Sequence, residues 1–375
     1  MPSPHTLYAI SDIHLSYPQN REYWSALPLR KHDFPPKSGL ILAGDVGESI
    51  SHLRLALEIA LQVFSYVWWI PGNHELYTLP GQHSPTENNA STGDQAARDA
   101  EIDSLRGEER YQAFIRVCHQ YPGVYTPEDE WVIWDCSAEE DPITTITTKS
   151  QISSSPSNQQ PQQPSSSAAA LICPLFTLYD YTFRPAHLHS TTAALAWAAE
   201  KDIIATDEAL LHSDPHPNKA SWSSQLVSNF HTRLTSARAR FPSLPFVLIN
   251  HWPLREEVLH IPSIPRFSLW CGTRSTRHWD TEFAPVAVVV SGHLHVRRTD
   301  WIGDTRWEEV SLGYPRQWTK IREQELDVAE LLREVLPGRA AEDARREGRA
   351  EVAGAEDQKG RVEGQVTLYR TYGGR

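Results

Sequence analysis

The sequence predicts an α/β fold with parallel core strands, and two observations predict it. Near the start of the chain, apolar runs of strand length alternate with a segment of helical periodicity, and each apolar run stops on polar residues. Open α/β sheets gather such tips on one edge, where they place their sites. The second observation is Val286-Ala287-Val288-Val289-Val290, an uninterrupted, β-branched run of the kind buried on both faces of a sheet. It leads straight into Ser291-Gly292-His293-Leu294-His295. Imidazole is a borderline ligand suited to Zn, Fe, Mn or Ni, so two in one tight turn call for carboxylates at other strand ends.

The first 75 residues supply them. Thr6-Leu7-Tyr8-Ala9-Ile10-Ser11 reads as a short strand ending in Asp12-Ile13-His14, and residues two apart in an extended segment lie on one side. Gly39-Leu40-Ile41-Leu42-Ala43 stops at Gly44-Asp45, where glycine lets the backbone turn and leaves the carboxylate at the strand tip. Ile50, Leu53, Leu57, Ala60 and Phe64 then fall at helical spacing behind possible caps at Ser49 or Ser51. Tyr66-Val67-Trp68-Trp69-Ile70 is a third strand, broken by Pro71-Gly72 to present Asn73-His74-Glu75.

Thr78 to Gly93 is polar and turn-rich and reads as a surface loop. Helix follows in two pieces around Gly107, the second with Tyr111, Phe114, Ile115 and Cys118 on one face, and the segment from Trp131 to Ile133 reads as a strand. From Ser137 to about Ala170 the chain is dominated by Ser, Thr, Gln and Pro, which cannot bury enough apolar area to offset ordering entropy. A disordered insertion within a hairpin is therefore expected over about residues 137–170. Leu171-Ile172-Cys173-Pro174-Leu175-Phe176 resumes the sheet, helices are expected around Ala186–Glu200 and Trp222–Arg240, and the strand Pro245–Asn250 ends on His251. A Pro-, Arg- and Trp-rich segment after His251 is long enough to roof a pocket, and Val296–Trp301 alternates as one strand of an antiparallel hairpin does. Leu326, Ala329, Leu332 and Val335 or Leu336 predict one amphipathic helix over Ile321–Leu336, followed by a mixed-charge tail. The expected organisation is one domain over residues 1–320 and a C-terminal helix and tail over 321–375.

With 375 residues and 40% hydrophobic content the chain can bury a sizeable core. A net charge of −12 opposes nucleic-acid binding as a main activity, because phosphate-backbone affinity comes from clustered Lys and Arg. The start of the chain has no basic region followed by an apolar core, and no run reaches the roughly 18 apolar residues of a membrane span, so a soluble, cytoplasmic protein is expected. Cys118, Cys136, Cys173 and Cys271 are scattered without a Cys-x-x-Cys pair, which favours free thiols.

Singly, each polar tip is weak: a lone histidine beside an apolar strand is more often hydrogen-bonded structure than ligand. Jointly, Asp12-x-His14, Gly44-Asp45, Gly72-Asn73-His74-Glu75, Asn250-His251 and Gly292-His293-x-His295 all fall immediately after predicted strands, a coincidence the structural alternative has to explain five times. This ordered set, from residue 6 to about 318, resembles the calcineurin-like metallophosphoesterase superfamily. The resemblance implies a four-layer α/β/β/α sandwich of two mixed sheets flanked by helices. It implies two divalent ions, Mn, Fe or Zn, one held by Asp12, His14 and His295, the other by Asn73, His251 and His293, with Asp45 bridging both. It implies hydrolysis of a phosphate mono- or diester by a metal-bridging hydroxide, with His74 stabilising the transition state or protonating the leaving oxygen.

Glu75 is expected to orient His74, or else to cap a helix. Many relatives carry an Asp where this chain has Glu48, and Ser49-Ile50 replaces the Arg-Gly of Ser/Thr protein phosphatases, which argues against that branch. Arg266 and Arg274, with Trp252 and Trp270, are candidates for a phosphate clamp and an aromatic wall, or else plain surface residues. The expected partner is a small-molecule phosphate ester. Two alternatives remain at this point, a nuclease of the same superfamily and a metal-free scaffold; the acidic charge opposes the first and the complete ligand set opposes the second.

Overall fold

The computed structural model describes residues 5–80, 94–145, 169–318 and 328–338. Its strands are β1 (Leu7–Ile10), β2 (Gly39–Leu42), β3 (Tyr66–Trp69), β4 (Val124–Tyr125), β5 (Val132–Asp135), β6 (Ile143–Thr145), β7 (Ala169–Pro174), β8 (Phe246–Ile249), β9 (Val286–Ser291), β10 (Arg298–Ile302), β11 (Thr305–Glu309) and β12 (Arg333–Leu336). Among the described residues they form a five-stranded sheet in the order β12-β1-β2-β3-β4 and a seven-stranded sheet in the order β10-β11-β9-β8-β7-β5-β6. The strands that carry the polar tips pair in parallel, β1 with β2, β2 with β3 and β8 with β9, so their C-terminal ends leave each sheet on one edge.

Side-chain alternation builds the layers. One residue set, Leu7, Ala9, Ile41, Ala43, Trp68 and Ile70 from the first sheet, meets Val132, Trp134, Ile172, Val247, Ile249, Val288 and Val290 from the second in a buried cluster between the sheets. Their neighbours one position along, Ile10, Leu40, Leu42, Val67 and Trp69, and Leu171, Phe246, Leu248 and Val289, point to the other faces and join the buried residues of the helices. The helices are α1 (Pro18–Ser25), α2 (Ile50–Val63), α3 (Asp94–Ser104), α4 (Gly107–Cys118), α5 (Thr191–Ala199), α6 (Asp207–Leu210), α7 (Lys219–Arg240) and α8 (Trp279–Glu282). Helix α2 starts behind Ser49, whose hydroxyl accepts the His52 N–H at 3.3 Å, and buries Leu53, Leu57 and Ala60 as its spacing predicted. Helix α7 starts behind Asn218 and buries Trp222, Leu226, Phe230 and Leu234. The result is the expected sandwich of two mixed sheets flanked by helices. No described helix is long and apolar enough to cross a membrane, and all four cysteines are free and buried.

Two expectations give way. Residues 328–338 do not continue a helix: after a short 3-10 turn at Ala329–Leu331, strand β12 pairs antiparallel with β1, Tyr8 opposite Glu334 and Ala9 opposite Arg333. The open edge of β1 offers backbone donors and acceptors that a surface helix would leave unpaired, and this outweighs a weak local periodicity. Part of the region expected to be a separate C-terminal unit therefore completes the first sheet; residues 319–327 and 339–375 lie outside the described residues. Likewise Ile143–Thr145 is strand β6 beside β5, and Ala169–Pro174 is β7 on the other side of β5, so the insertion narrows to residues 146–168, outside the described residues. The expected loop over Thr78 to Gly93 is described only as far as residue 80.

Strand β12 is tested by Leu336→Ala, which removes a side chain 7% exposed against the inter-sheet cluster. Urea unfolding is expected to register a loss of about 2 kcal/mol, the lower end for a core leucine because the strand lies at a sheet edge. A helix lying on the surface would show almost none.

Candidate metal centre

Five strand exits converge. Asp12 and His14 follow β1, Asp45 follows β2, Asn73 and His74 follow β3, His251 follows β8, and His293 and His295 follow β9; all but His74 and His295, which are partly exposed, are buried. Three groups of donor atoms result, Asp12, His14, Asp45 and His295 in the first, Asp45, His251 and His293 in the second, and His14, Glu48 and His74 in the third, each with its atoms within 4.8 Å of one another, and Asp45 belongs to the first two. In the first, His295 Nε2 lies 2.8 Å from Asp12 Oδ1 and 3.2 Å from His14 Nε2. In the second, His251 Nε2 lies 3.5 Å from Asp45 Oδ2, while the Asn73 carbonyl oxygen stands 3.2 Å from His251 Nε2 and 3.1 Å from His293 Nδ1.

The backbone at these tips is strained. Asp12, His14, Asp45, His293 and His295 have φ of 52°, 40°, 54°, 74° and 54°, a left-handed region that costs an L residue roughly 1–2 kcal/mol each. Their surroundings hold them there. A Cβ added to Gly72 would meet Asp45 Oδ1 at 2.1 Å, and one added to Gly292 would meet Ser11 Oγ at 2.3 Å and Asp12 Oδ2 at 2.4 Å, so both positions require glycine.

Burial and charge set the protonation states. Burial by itself raises Asp12 and Asp45, but the facing imidazoles outweigh it: chiefly His295 holds Asp12, and His251 holds Asp45, below the ordinary carboxylate value. Burial, reinforced by neighbouring histidines, pushes His14 and His293 down to about 3, so both rings are neutral, the ligating form. Burial opposes charge on His251, yet the Asp45 carboxylate raises it to about 9, a field that favours any cation at that point. His14 Nδ1 and His293 Nε2 have no hydrogen-bond partner. Ligands that share an ion at 2.0–2.2 Å stand roughly 3–3.5 Å apart, the spacing of these nitrogens and oxygens. Neutral imidazoles, an amide oxygen and ionised carboxylates at these separations fit a divalent metal.

Several supporting residues were not legible. Glu75 does not orient His74: its carboxylate accepts the backbone N–H of Asp45 at 2.9 Å, Val46 at 2.6 Å and Gly72 at 2.7 Å, which ties the tips of β2 and β3 together. His74 takes Glu48 instead, Nδ1 to Oε1 at 2.7 Å, with Nε2 3.8 Å from Asp45 Oδ2. Glu309 serves the β9 exit as Glu75 serves the others, accepting from His295 N at 3.0 Å and Arg297 N at 2.6 Å. Gln317 Oε1 lies 2.8 Å from His295 Nδ1, and Tyr314 stacks on His14 with ring centroids 4.6 Å apart. Asp207, far along the chain, meets the Asn73 amide at 3.1 Å. The available signals among these were the position of Glu48 three residues beyond Asp45 and the stretch Glu308–Pro315, which adds to the family resemblance and holds Glu309 and Tyr314. Arg266 is tied to the Trp197 carbonyl and Glu200, and Arg274 to Glu256 at 2.8 Å and the Arg184 carbonyl at 2.8 Å, none of them members of the cluster.

No family model matches the chain. A curated relative does: an acyl-carrier-protein phosphodiesterase, PptH, from Mycobacterium tuberculosis is 33% identical over 338 residues, covering 88% of this chain and 83% of the relative. The chain belongs to the calcineurin-like metallophosphoesterase superfamily. The crystal structure of phosphopantetheinyl hydrolase (PptH) from M. tuberculosis superposes with a TM-score of 0.68 at 32% identity, covering 90% of this chain and 98% of that one. A far weaker likeness, TM-score 0.33 at 12% identity over 81% of this chain and 48% of that one, is to a putative 5'-nucleotidase from Staphylococcus aureus. This metallophosphoesterase is thus a metal-dependent phosphoric ester hydrolase, and its clustered carboxylates and imidazoles suit divalent-metal binding.

Gly72→Ala tests the packing of that centre. The added methyl displaces Asp45, so elemental analysis of the purified variant is expected to find little bound metal while its circular dichroism stays native. Wild-type metal content in a folded variant contradicts the close approach.

Proposed function

We propose that two divalent ions, of Mn, Fe or Zn, are bound here, one by Asp12, His14 and His295 and one by Asn73, His251 and His293, with Asp45 shared, and that the enzyme cleaves a phosphodiester joining a phosphopantetheinyl group to an acyl carrier protein. The observation that carries the first part is the membership of Asp45 in two donor groups, one with Asp12, His14 and His295 and one with His251 and His293. The relative's name and the 83% of its length that this chain matches support the second. The expected small-molecule substrate is thereby replaced by a protein-borne one. When bound, a divalent pair supplies Lewis acidity to the phosphoryl oxygens and an acidified water at neutral pH.

The chain's own residues supply the rest. His74 N–H donates to Asp45 Oδ1 at 2.9 Å, which seats the residue against the proposed shared carboxylate, with its ring in a third donor cluster beside His14 and Glu48. Its Nδ1 donates to Glu48, leaving Nε2 to carry a proton toward the substrate. Burial works against that proton, but Asp45 and Glu48 outweigh it and raise His74 to about 10. Asp45 would be balanced by a bound cation, which would leave Glu48 as the carboxylate that keeps His74 protonated. Cleavage of a diester of two aliphatic alcohols breaks one P–O bond and expels a strongly basic alkoxide, which needs this proton to leave as the alcohol. Tyr314 and Tyr17, with ring centroids 5.4 Å apart, wall the centre beside His14, and Phe267 stacks on His293 at 5.6 Å.

The direct test incubates the purified chain with holo-acyl carrier protein and Mn, Fe, Zn or Mg and reads carrier mass by mass spectrometry. Loss of the phosphopantetheinyl mass is expected. Turnover of simple diesters with none of the carrier sinks the carrier reading, and cleavage of DNA instead favours a nuclease.

His74→Ala is expected to keep its metal and lose about 10²–10⁴-fold in turnover, most for aliphatic esters and least for nitrophenyl esters, whose anion leaves unaided. Loss of metal in that variant makes His74 a ligand.

Glu48→Gln tests the partner. His74 bound to Glu48 has a raised pKa, so its acid form persists below that value and is lost as pH rises through it; removing the carboxylate lowers the pKa. The alkaline limb of the turnover profile is expected to move to lower pH by about one unit or more. An unmoved limb excludes Glu48 from this role.

A further inference from the structure

We infer that Asp207 is a positioning residue of the metal centre, deciding which end of the Asn73 amide faces His251 and His293. The inference rests on Asn73 being a ligand, as proposed above. Asp207 opens the short helix α6, which docks against the chain after β3: Thr78 N donates to the Leu210 carbonyl at 3.0 Å, and Tyr77 and Leu211 form an isolated antiparallel bridge. Docking brings a carboxylate only 2% exposed behind Asn73, on a segment 134 residues away in sequence.

The hydrogen bonds there form a closed triangle. Asn73 Nδ2 donates to Asp207 Oδ1 at 3.1 Å and to the Tyr77 hydroxyl at 2.8 Å, and that hydroxyl donates to the same Asp207 oxygen at 2.5 Å. The two ends of an amide differ chemically: one oxygen accepts, one NH2 donates, and a carboxylate only accepts. With its NH2 held by two acceptors, Asn73 must turn Oδ1 toward His251 Nε2 at 3.2 Å and His293 Nδ1 at 3.1 Å. A flipped amide would set two oxygens against each other in a dry site and offer a cation an NH2 with no lone pair to give. Tyr77 completes the lock, and its ring lies 4.7 Å from that of His74, so one tyrosine packs against both the ligand side and the acid side of the centre. Partners of this kind typically change metal affinity by about 10–100-fold.

The test uses the full chain, stripped of metal and titrated with Mn(II), with elemental analysis and electron paramagnetic resonance as readouts. Asp207→Leu is expected to weaken one of two sites about 10–100-fold, so that the spectrum of an exchange-coupled manganese pair gives way to that of isolated ions. Asn73→Asp alone sets two buried carboxylates against each other and should also lose the pair. The swap Asn73→Asp with Asp207→Asn supplies an oxygen ligand and an amide donor in exchanged places, and is expected to recover it. Retention of the pair at wild-type affinity in Asp207→Leu overturns the inference; if that variant does not fold, a folded swap that fails to recover the pair does so. Asn73→Leu separates the two readings: a pair surviving there refutes Asn73 as a ligand, whereas loss there with retention in Asp207→Leu refutes the positioning role alone.

Discussion

Two carboxylates, Asp12 and Asp45, are buried between the tips of two sheets at 0% and 2% exposure, and the architecture around them answers the cost of that burial. An ionised carboxylate taken out of water without partners is destabilising by many kcal/mol, so each must be surrounded by donors or cations. Asp12 takes the hydroxyls of Ser11 at 2.6 Å and Ser311 at 2.7 Å, the His293 N–H at 3.0 Å and the His295 ring. Asp45 takes the His74 N–H and faces His251 and His74. The donors come from the exits of β1, β3, β8, β9 and β11, so neither sheet alone can satisfy either carboxylate. The same arrangement that would be costly in a metal-free core is what suits a cation centre.

Behind these ligands stands a second tier that fixes backbone rather than side chains. Glu75 and Glu309 each gather backbone N–H groups from strand exits, and where those groups belong to Asp45 and His295 they belong to residues held at positive φ. Arg110 on α4, fully buried, donates to the carbonyls of Glu75 at 2.6 Å and Glu48 at 2.6 Å and to that of Asp103 at 2.8 Å. Through one guanidinium the helix layer grips both the loop that carries His74 and the loop that carries Glu48. Strain of a few kcal/mol at the tips persists because these bonds over-determine it.

Charge and shape at the mouth fit the proposed substrate in kind. The net charge of −12 opposes nucleic-acid binding, and Arg266 and Arg274, in the segment after His251, are held by the carboxylates of Glu200 and Glu256. Beside His14 stand the rings of Tyr314 and Tyr17, with the Arg316 guanidinium 5.7 Å from the Tyr314 ring centroid, a surface suited to a slender organic arm that carries a phosphate.

The sequence by itself determined the parallel strand skeleton and the residues brought together at its tips, because a buried strand writes a short apolar run and its end writes a sharp change to glycine and polar residues. Asp12, His14, Asp45, Asn73, His251, His293 and His295 were legible for that reason, each read at the end of a local pattern. Only the tertiary structure decided what stands behind them. Asp207 and Gln317 sit in segments without a local signature and reach the site through packing, and Glu75 turned from its neighbour His74 to three backbone amides because the tips of β2 and β3 meet there. Strand β12 was hidden for the same reason: its pattern suits a helix equally well, and the unpaired edge of β1, which no local window contains, made the choice.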